Sequence, residues 1–159
     1  MQAPEQIKPA KLADYLDVLT KAVFQSGMSW QVVEAKWDGF RQAFAGFDPA
    51  TVAAFDGDDV ERLAEDTRII RNRRKIEATV HNAEVMLALD GEAGGFTGWL
   101  RGHPSFDETV AALRGEFRFL GDMGAYYFLY VVGERVPPHE EWMAAHPSVA
   151  RPRRTARQS

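Results

Sequence analysis

The sequence predicts a single all-α domain, and three features of the chain support that fold class. Apolar residues recur at intervals of three and four over most of the 159 residues, which is the period of an amphipathic helix. Prolines, glycines and short polar residues interrupt this pattern at the spacing typical of helix ends. The sequence contains no repeat, no domain linker and no convincing pair of alternating strands, so no β-sheet is expected.

The first two predicted helices lie before residue 45. Apolar residues recur at helical spacing from Leu12, and Gly27 ends this first helix. Ser29 is a candidate N-cap for a second helix over Trp30–Phe44, whose apolar stripe predicts a face packed on the core.

The middle of the chain predicts two short helices and one long helix. Asp48-Pro49 is a cap residue followed by a proline at the first helical position, and it opens the first of them. Another short helix starts at Gly57. The segment Thr67–Arg74 breaks the apolar pattern, and a long helix follows over Lys75–Leu89.

The last third predicts a glycine-rich loop over Gly91–Gly98 and three further helices. These helices cover Phe106–Leu113, the strongly apolar stretch Met123–Val132, and His139–His146. We therefore expect one helical domain over residues 1–146, followed by a basic, disordered tail over 147–159.

Composition and charge exclude several classes of protein. Apolar residues make up 45% and charged residues 26%, which is typical of a folded globular protein. Cysteine is absent, which excludes disulfides, thiolate metal sites and a cysteine nucleophile. No apolar run approaches the ~18 residues of a membrane helix, and the start lacks a signal-peptide pattern. A cytoplasmic protein with no membrane partner is expected.

The net charge of −4 conceals two basic segments. Thr67–Lys75 holds five cations and the tail Arg151–Ser159 holds four, and neither contains an acid, which leaves 10 cations against 23 acids elsewhere. A local basic segment on an acidic body can still contact phosphate.

The basic segment is a candidate nucleic-acid contact because it forms a tight turn between two predicted helices. Such a turn directs backbone N–H groups toward one point beside a helix N-terminus, where phosphate binds. Ile69 and Ile70 are expected to anchor the turn on the core. The candidate contact residues are Ile69, Ile70, Arg71, Asn72, Arg73, Arg74 and Lys75. The alternative is a solvated cationic loop that keeps an acidic protein in solution.

Aromatic residues and one acid suggest a second site. Trp30 sits at a helix start, where a large ring can face a cleft, and Tyr126 and Tyr127 point about 100° apart on a helix, so they do not share one face. Aromatic walls suit a stacked, flipped base, but they also suit a core. Asp122 precedes the apolar helix, either as its N-cap or as a carboxylate held at a cleft.

No metal or cofactor is predicted. Gly94–Gly98 lacks the strand that a nucleotide-binding loop requires. His139 and His146 have no third ligand, so they do not define a metal site.

Four blocks of sequence resemble the 3-methyladenine DNA glycosylase I family, within the helix-hairpin-helix glycosylase superfamily. They read FQSGMSW from Phe24, FDP from Phe47, DDVERL from Asp58 and IIRNRRKI from Ile69; a weaker match, FRFLG, starts at Phe117. The resemblance implies an all-α fold with Thr67–Lys75 as the DNA-binding hairpin. It also implies that Trp30 stacks on the excised base.

The chain departs from that family's pattern at several points. The resemblance implies a structural zinc held by Cys and His, and this chain has no Cys. It implies a base-reading Glu eight residues before the tryptophan, and this chain has Ala22 there. An N-terminal Cys-Gly-Trp segment has no counterpart. The chain is thus identified as a divergent member that lacks the zinc ligands and the base-reading Glu.

The resemblance implies a glycosylase that hydrolyses the N-glycosidic bond of an alkylated base in double-stranded DNA. Because a cationic alkylated base is already a good leaving group, we expect a monofunctional enzyme, and we expect it to act as a monomer. The expected base pocket consists of Trp30, Phe24, Gln25 and Tyr126, with Asp122 as the catalytic carboxylate on the opposite wall of the same cleft. Two alternatives remain open. One is a catalytically inactive DNA-binding protein that keeps the hairpin, and the other is a small-molecule binder that reuses the aromatic pocket.

Overall fold

The computed structural model describes residues 3–146 of the chain. Within these residues there are ten α-helices, one 3₁₀ turn and no β-strand. The all-α prediction is confirmed. The helices are α1 (Leu12–Gln25), α2 (Trp30–Ala35), α3 (Trp37–Ala43), α4 (Pro49–Ala53), α5 (Gly57–Leu63), α6 (Arg73–Asp90), α7 (Gly95–Arg101), α8 (Phe106–Glu116), α9 (Asp122–Val131) and α10 (His139–Ala145); the 3₁₀ turn is Ala45–Phe47.

Helix starts follow the cap residues that the sequence offers. The Ser29 hydroxyl accepts the N–H of Val32 at the start of α2. The Asp48 carboxylate accepts the N–H of Thr51 at 3.0 Å, with Pro49 at the first position of α4. Both predicted caps are confirmed.

Two predicted boundaries are wrong. The helix expected over Trp30–Phe44 divides into α2 and α3, because Lys36 leaves the helical region at a ψ of 1°. The expected glycine loop contains the start of α7. Gly94 and Gly95 both have a positive φ there, and the Asp90 carboxylate accepts the N–H of Phe96 at 2.9 Å.

The core is built around α1. Its Leu16, Leu19, Val23 and Phe24 are completely buried, and the helix packs against α6, α9 and the 3₁₀ turn. These residues form the apolar stripe that the sequence predicts. No helix among the described residues is long and apolar enough to cross a membrane.

A stack of aromatic rings joins α3 to the 3₁₀ turn. Trp37 lies nearly parallel to Phe40 and Phe47, with ring centroids 4.6 and 5.4 Å apart, and Phe44 stacks on Phe47 at 5.5 Å. The Trp37 indole donates to the Asp17 carboxylate of α1 at 3.0 Å. These four rings are buried, so they belong to the core.

Gly39 lets α3 approach the basic turn at backbone distance. A Cβ at this position would lie 2.3 Å from the carbonyl oxygen of Arg68. Lys36, at the junction of α2 and α3, donates to the carbonyl oxygen of Thr67 at 3.1 Å. Helix α3 therefore fixes the position of residues 67 and 68.

A smaller cluster attaches α10 to α9. Tyr126 stacks on Trp142 with ring centroids 4.4 Å apart, and its hydroxyl donates to the carbonyl oxygen of Pro137 at 2.7 Å. The predicted basic tail over 147–159 lies outside the described residues.

Substituting Gly39 with alanine should destabilise the protein by about 1–3 kcal/mol, because the added methyl overlaps a backbone oxygen and forces α3 and the turn apart. Chemical denaturation measures this change in the free energy of unfolding. The matched control is Gly115→Ala in α8, where no atom lies within 4 Å of the added Cβ. There the better helix propensity of alanine should leave stability equal or raise it by up to about 1 kcal/mol. Equal effects of the two changes would contradict the close packing at Gly39.

Candidate nucleic-acid interface and adjoining pocket

The basic turn is a helical hairpin anchored by isoleucine. Helices α5 and α6 flank residues 64–72, and α5 packs on α6. Ile69 is buried in the main core and Ile70 is half-buried against it. The expected anchoring of the turn by these two residues is confirmed.

Helix α6 begins at the tip of this hairpin. The Asn72 side chain accepts the N–H of Lys75 at 3.1 Å, so it caps the helix. The N–H groups of Arg73 and Arg74 occupy the first two positions of α6, where no intrahelical acceptor exists. The positive end of an 18-residue helix therefore faces outward beside exposed arginines.

The cations of the hairpin differ in their partners. Arg68 pairs with Asp66 at 2.6 Å, and Arg73 pairs with Glu61 at 2.8 Å. The hydrogen bond from the Arg73 guanidinium lowers the pKa of Glu61, just as the Arg68 guanidinium lowers the pKa of Asp66. Within residues 3–146, the exposed Arg71 and Arg74 have no carboxylate at salt-bridge distance. These two side chains are the cations most available to an external anion.

Lys75 has a different position from the one predicted. Its side chain is buried, and its ammonium donates to the carbonyl oxygens of Phe24 at 3.2 Å and Ser26 at 2.5 Å. An ammonium held by two backbone carbonyls inside the protein does not reach a phosphate at the surface. Lys75 instead connects the start of α6 to the end of α1 through these hydrogen bonds.

A cavity of about 420 Å³ opens directly beyond this junction. Trp30 and Tyr127 meet there edge to face, with ring centroids 5.4 Å apart. The cavity is lined by Pro4, Gln25, Trp30, Gln31, Glu34, Ala35 and Tyr127. Lys75 lies at the end of the hairpin, and its ammonium hydrogen-bonds to the segment that precedes Trp30. The same side chain therefore positions both the hairpin and the pocket relative to each other.

The surface that lines the pocket is mainly apolar, and two polar side chains, Gln25 and Tyr127, lie buried beside each other at it. The Gln25 side chain is buried, and its oxygen Oε1 has no hydrogen-bond partner among the described residues. Burial raises the pKa of Tyr127 to about 12, an effect that the adjacent Gln25 amide partly offsets. Tyr127 therefore stays protonated at neutral pH. A buried amide oxygen without a hydrogen-bond partner costs free energy in the folded protein.

Two of the predicted pocket residues lie elsewhere. Phe24 is completely buried and packs edge to face on Phe40, with ring centroids 4.6 Å apart. Tyr126 faces α10, and its neighbour Tyr127 faces Trp30. Because adjacent residues of α9 point about 100° apart, only one of the two tyrosines can line the pocket. Of the predicted set, the structure brings together Trp30 and Gln25.

Asp122 does not line this pocket. It occupies the first position of α9, after the N-cap Gly121, and pairs with Arg114 of α8 at 2.7 Å. Both side chains are about half exposed. The pocket that contains Trp30 therefore does not have Asp122 on its opposite wall, and the catalytic role of Asp122 stays a prediction that this placement does not support.

Ala22 lies on the face of α1 that packs against α9. It is 2% exposed, and a Cβ added at Gly124 would lie 3.7 Å from the Cβ of Ala22. Helix α9 therefore lies within van der Waals distance of this small side chain. Position 22, where the family resemblance implies a carboxylate, is therefore closely packed and leaves no open space.

Comparison with known proteins identifies the relatives of this chain. The sequence model of the methyladenine glycosylase family matches residues 11–115. The DNA-3-methyladenine glycosylase of Haemophilus influenzae is 30% identical over 131 residues, which cover 69% of this chain and 70% of that protein. DNA-3-methyladenine glycosylase 1 of Escherichia coli K12 is 46% identical over 66 residues, which cover 42% of this chain and only 35% of that protein.

Solved structures agree with this assignment. A crystal structure of 3-methyladenine DNA glycosylase I superposes with a TM-score of 0.67 at 30% identity and covers 80% of this chain and 81% of that one. The Staphylococcus aureus 3-methyladenine DNA glycosylase I superposes with a TM-score of 0.71 at 24% identity, which shows the shared fold, over 81% of this chain and 80% of that one.

Replacing Lys75 with methionine should cost about 1–3 kcal/mol of folding stability, because the carbonyl oxygens of Phe24 and Ser26 lose their buried donor. The matched control, Arg74→Met, removes an exposed cation and should stay within about 0.5 kcal/mol of the parent. Urea denaturation of both variants distinguishes them. If Lys75→Met is as stable as Arg74→Met, Lys75 does not hold the two elements together.

Proposed function

The chain belongs to the methyladenine glycosylase family, and from this premise we propose that it binds double-stranded DNA and hydrolyses the N-glycosidic bond of an alkylated base such as 3-methyladenine. The observation that carries the proposal is that Lys75 connects the hairpin to the segment that forms the pocket. Lys75 lies in the first turn of the helix that would bind phosphate, and its ammonium donates to backbone carbonyls of the segment that leads from Gln25 to Trp30. A duplex held at the hairpin would therefore present its bases beside the pocket.

In this proposal the hairpin binds the DNA backbone without reading its sequence. The outward N–H groups of α6 and the guanidinium groups of Arg71 and Arg74 are suited to phosphate oxygens. Asn72 caps the N-terminus of α6, and Ile69 and Ile70 anchor the turn by packing in and against the core. Arg73 contributes less, because Glu61 already binds it.

The pocket would receive the extruded base. Extrusion costs a few kcal/mol, and less at a damaged base pair, while stacking on an aromatic ring returns about 1–3 kcal/mol. Trp30 offers the stacking surface, Tyr127 the second wall, and Gln25 an acceptor for a base N–H group.

Hydrolysis then breaks the bond between the sugar C1′ and the base nitrogen. The electron pair leaves with the base, water adds to C1′, and the water proton passes to solvent. An alkylated cationic base leaves as a neutral molecule, so the step requires little acid catalysis. The described lining of the pocket contains no lysine, and Lys21 is paired with Glu34, which supports a hydrolytic reaction without a lysine nucleophile.

A catalytically inactive DNA-binding protein is the second candidate function. It is favoured by Ala22, which leaves the pocket without the carboxylate that the family resemblance implies at that position. Both candidates use the same hairpin, so only the release of a base separates them.

Release of free 3-methyladenine from methylated duplex DNA tests the pocket. We expect the parent protein to release the base and Trp30→Ala to release it at least tenfold more slowly, because the stacking surface is lost. Gln25→Leu should also slow release, by about 2- to 10-fold, through loss of one hydrogen bond. The control is Val32→Ala, an exposed change on the same helix. A parent that binds DNA but releases no base would support the inactive alternative.

Duplex affinity tests the hairpin. The double change Arg71→Ala with Arg74→Ala should weaken binding equally for every sequence and make the slope of log affinity against log salt shallower by about two, since roughly one counterion is released per contact. Fluorescence anisotropy over a salt series measures both quantities. Arg101→Ala, which removes a cation paired with Glu134, is the charge-matched control for each single change. An unchanged slope in the double variant would contradict the proposed contact.

A further inference from the structure

Among the residues that the structure describes, one charged side chain lines the pocket, and it is Glu34 of α2. Glu34 follows Trp30 by four residues, so the two side chains lie on the same side of the helix, about 6 Å apart along its axis. The Glu34 side chain is 67% exposed, whereas Gln25 and Tyr127 of the same pocket are buried. The carboxylate therefore lies at the opening of the pocket, and the two uncharged polar groups lie deeper.

A lysine behind this rim holds the carboxylate in place. The ammonium of Lys21 on α1 pairs with Glu34, and the Lys21 side chain is only 14% exposed. The same ammonium lies 5.7 Å from the centre of the buried Trp37 ring, a distance at which a cation and an aromatic ring attract each other. Because Lys21 is mostly covered and Glu34 is mostly exposed, the carboxylate is the member of the pair on the side of the opening.

The negative charge of Glu34 acts on the far side of the pocket. Burial is the main cause that raises the pKa of Tyr127 to about 12, and the charges of Glu34 and Asp17 contribute in the same direction. The Tyr127 ring lies edge to face with Trp30. A charge that disfavours a tyrosinate there favours a positive charge held in the same space, since both effects are electrostatic.

A nucleotide that enters this pocket base first places its sugar at the rim. The base would stack on Trp30 and reach the Gln25 amide, while the sugar stays attached to the phosphates of the duplex. When the bond between C1′ and the base nitrogen breaks, the electron pair leaves with the base. The positive charge of an alkylated base then passes to C1′ and the ring oxygen O4′ until water adds. This charge develops at the opening, where Glu34 lies.

We propose that Glu34 is a catalytic residue that stabilises the positive charge on the sugar, and that Lys21 is its positioning residue. The proposal rests on the glycosylase function proposed above. A fixed carboxylate beside a developing positive charge stabilises the transition state more than the substrate. Water weakens this interaction in the free protein, and DNA that covers the rim strengthens it. Lys21 lies behind the carboxylate and offsets its repulsion of the incoming phosphates.

Single-turnover release of 3-methyladenine from methylated duplex DNA tests Glu34. Glu34→Gln keeps the size of the side chain and removes its charge, so release should slow by about 10- to 100-fold, less than in a fully enclosed site. Its affinity for intact duplex should stay equal or rise, because one negative charge near the phosphates is lost. The matched control is Asp38→Asn on α3, an exposed carboxylate paired with Arg41 outside the pocket lining. Both variants should melt at the parent temperature, and the control should release the base at the parent rate.

Two abasic duplexes test the charge on the sugar without any base present. One carries a cationic pyrrolidine ring in place of the sugar, and the other carries a neutral tetrahydrofuran ring. The parent should bind the pyrrolidine duplex about 5- to 30-fold more tightly than the tetrahydrofuran duplex, and Glu34→Gln should bind the two equally. A carboxylate that served only folding would not distinguish these probes.

The positioning role of Lys21 is tested in combination with Glu34. Lys21→Met should slow release by about 3- to 10-fold, because the carboxylate loses the contact that fixes it, and Lys21→Arg should restore most of the rate. Adding Lys21→Met to Glu34→Gln should slow release no further, since Lys21 acts through Glu34. A double variant that is slower by the product of the two single effects would contradict this role.

The outcomes separate this proposal from the one on which it rests. A parent that binds duplex DNA but releases no base overturns the glycosylase function, and the catalytic role of Glu34 with it. If the parent releases the base, two results overturn the role of Glu34 alone. One is release by Glu34→Gln at the parent rate, and the other is equal binding of the two abasic duplexes by the parent. Slow release by Glu34→Gln together with weaker binding of intact DNA would assign Glu34 to DNA binding, and it would also overturn the proposal.

Discussion

The position of the candidate site depends on one buried cation. Lys75 lies in the first turn of the long helix α6, and its ammonium donates to the carbonyl oxygens of Phe24 and Ser26, where α1 ends. A buried ammonium is tolerated only when acceptors surround it, so this contact strongly constrains the distance between hairpin and pocket. Hydrogen bonds of Lys75 thus connect the start of α6 to the last turn of α1 and to the turn before Trp30.

Polar side chains at the start and in the middle of α6 position two neighbouring segments of the chain by hydrogen bonds. Asn72 caps its start, Lys75 holds the pocket segment, and Asn82 holds the loop between α8 and α9 at Arg118. The contacts of Lys75 and Asn82 each join a polar side chain of α6 to backbone groups of another segment. Backbone groups are present whatever the side chains, so such contacts fix loop positions while the exposed residues beside them can differ.

The pocket is lined mainly by apolar surface, with Trp30 and Tyr127 edge to face and the Gln25 amide beside them. Ala22 is buried where α1 faces Gly124 of α9, and burial raises the pKa of Tyr127 to about 12. The carboxylate of Glu34 lies at the exposed rim, where Lys21 neutralises it.

Sequence periodicity and local chemistry determined the helices, most of their ends and the basic hairpin. The caps at Ser29 and Asp48 are local interactions, and for that reason the sequence predicts them well. Only the tertiary structure decided which of two adjacent tyrosines lines the pocket, because a shift of one residue rotates a side chain by about 100°. It also decided that Lys75 is buried, since a charge pattern along the chain carries no information about distant carbonyl oxygens. The same holds for Asp122, whose partner is set by how α8 and α9 pack.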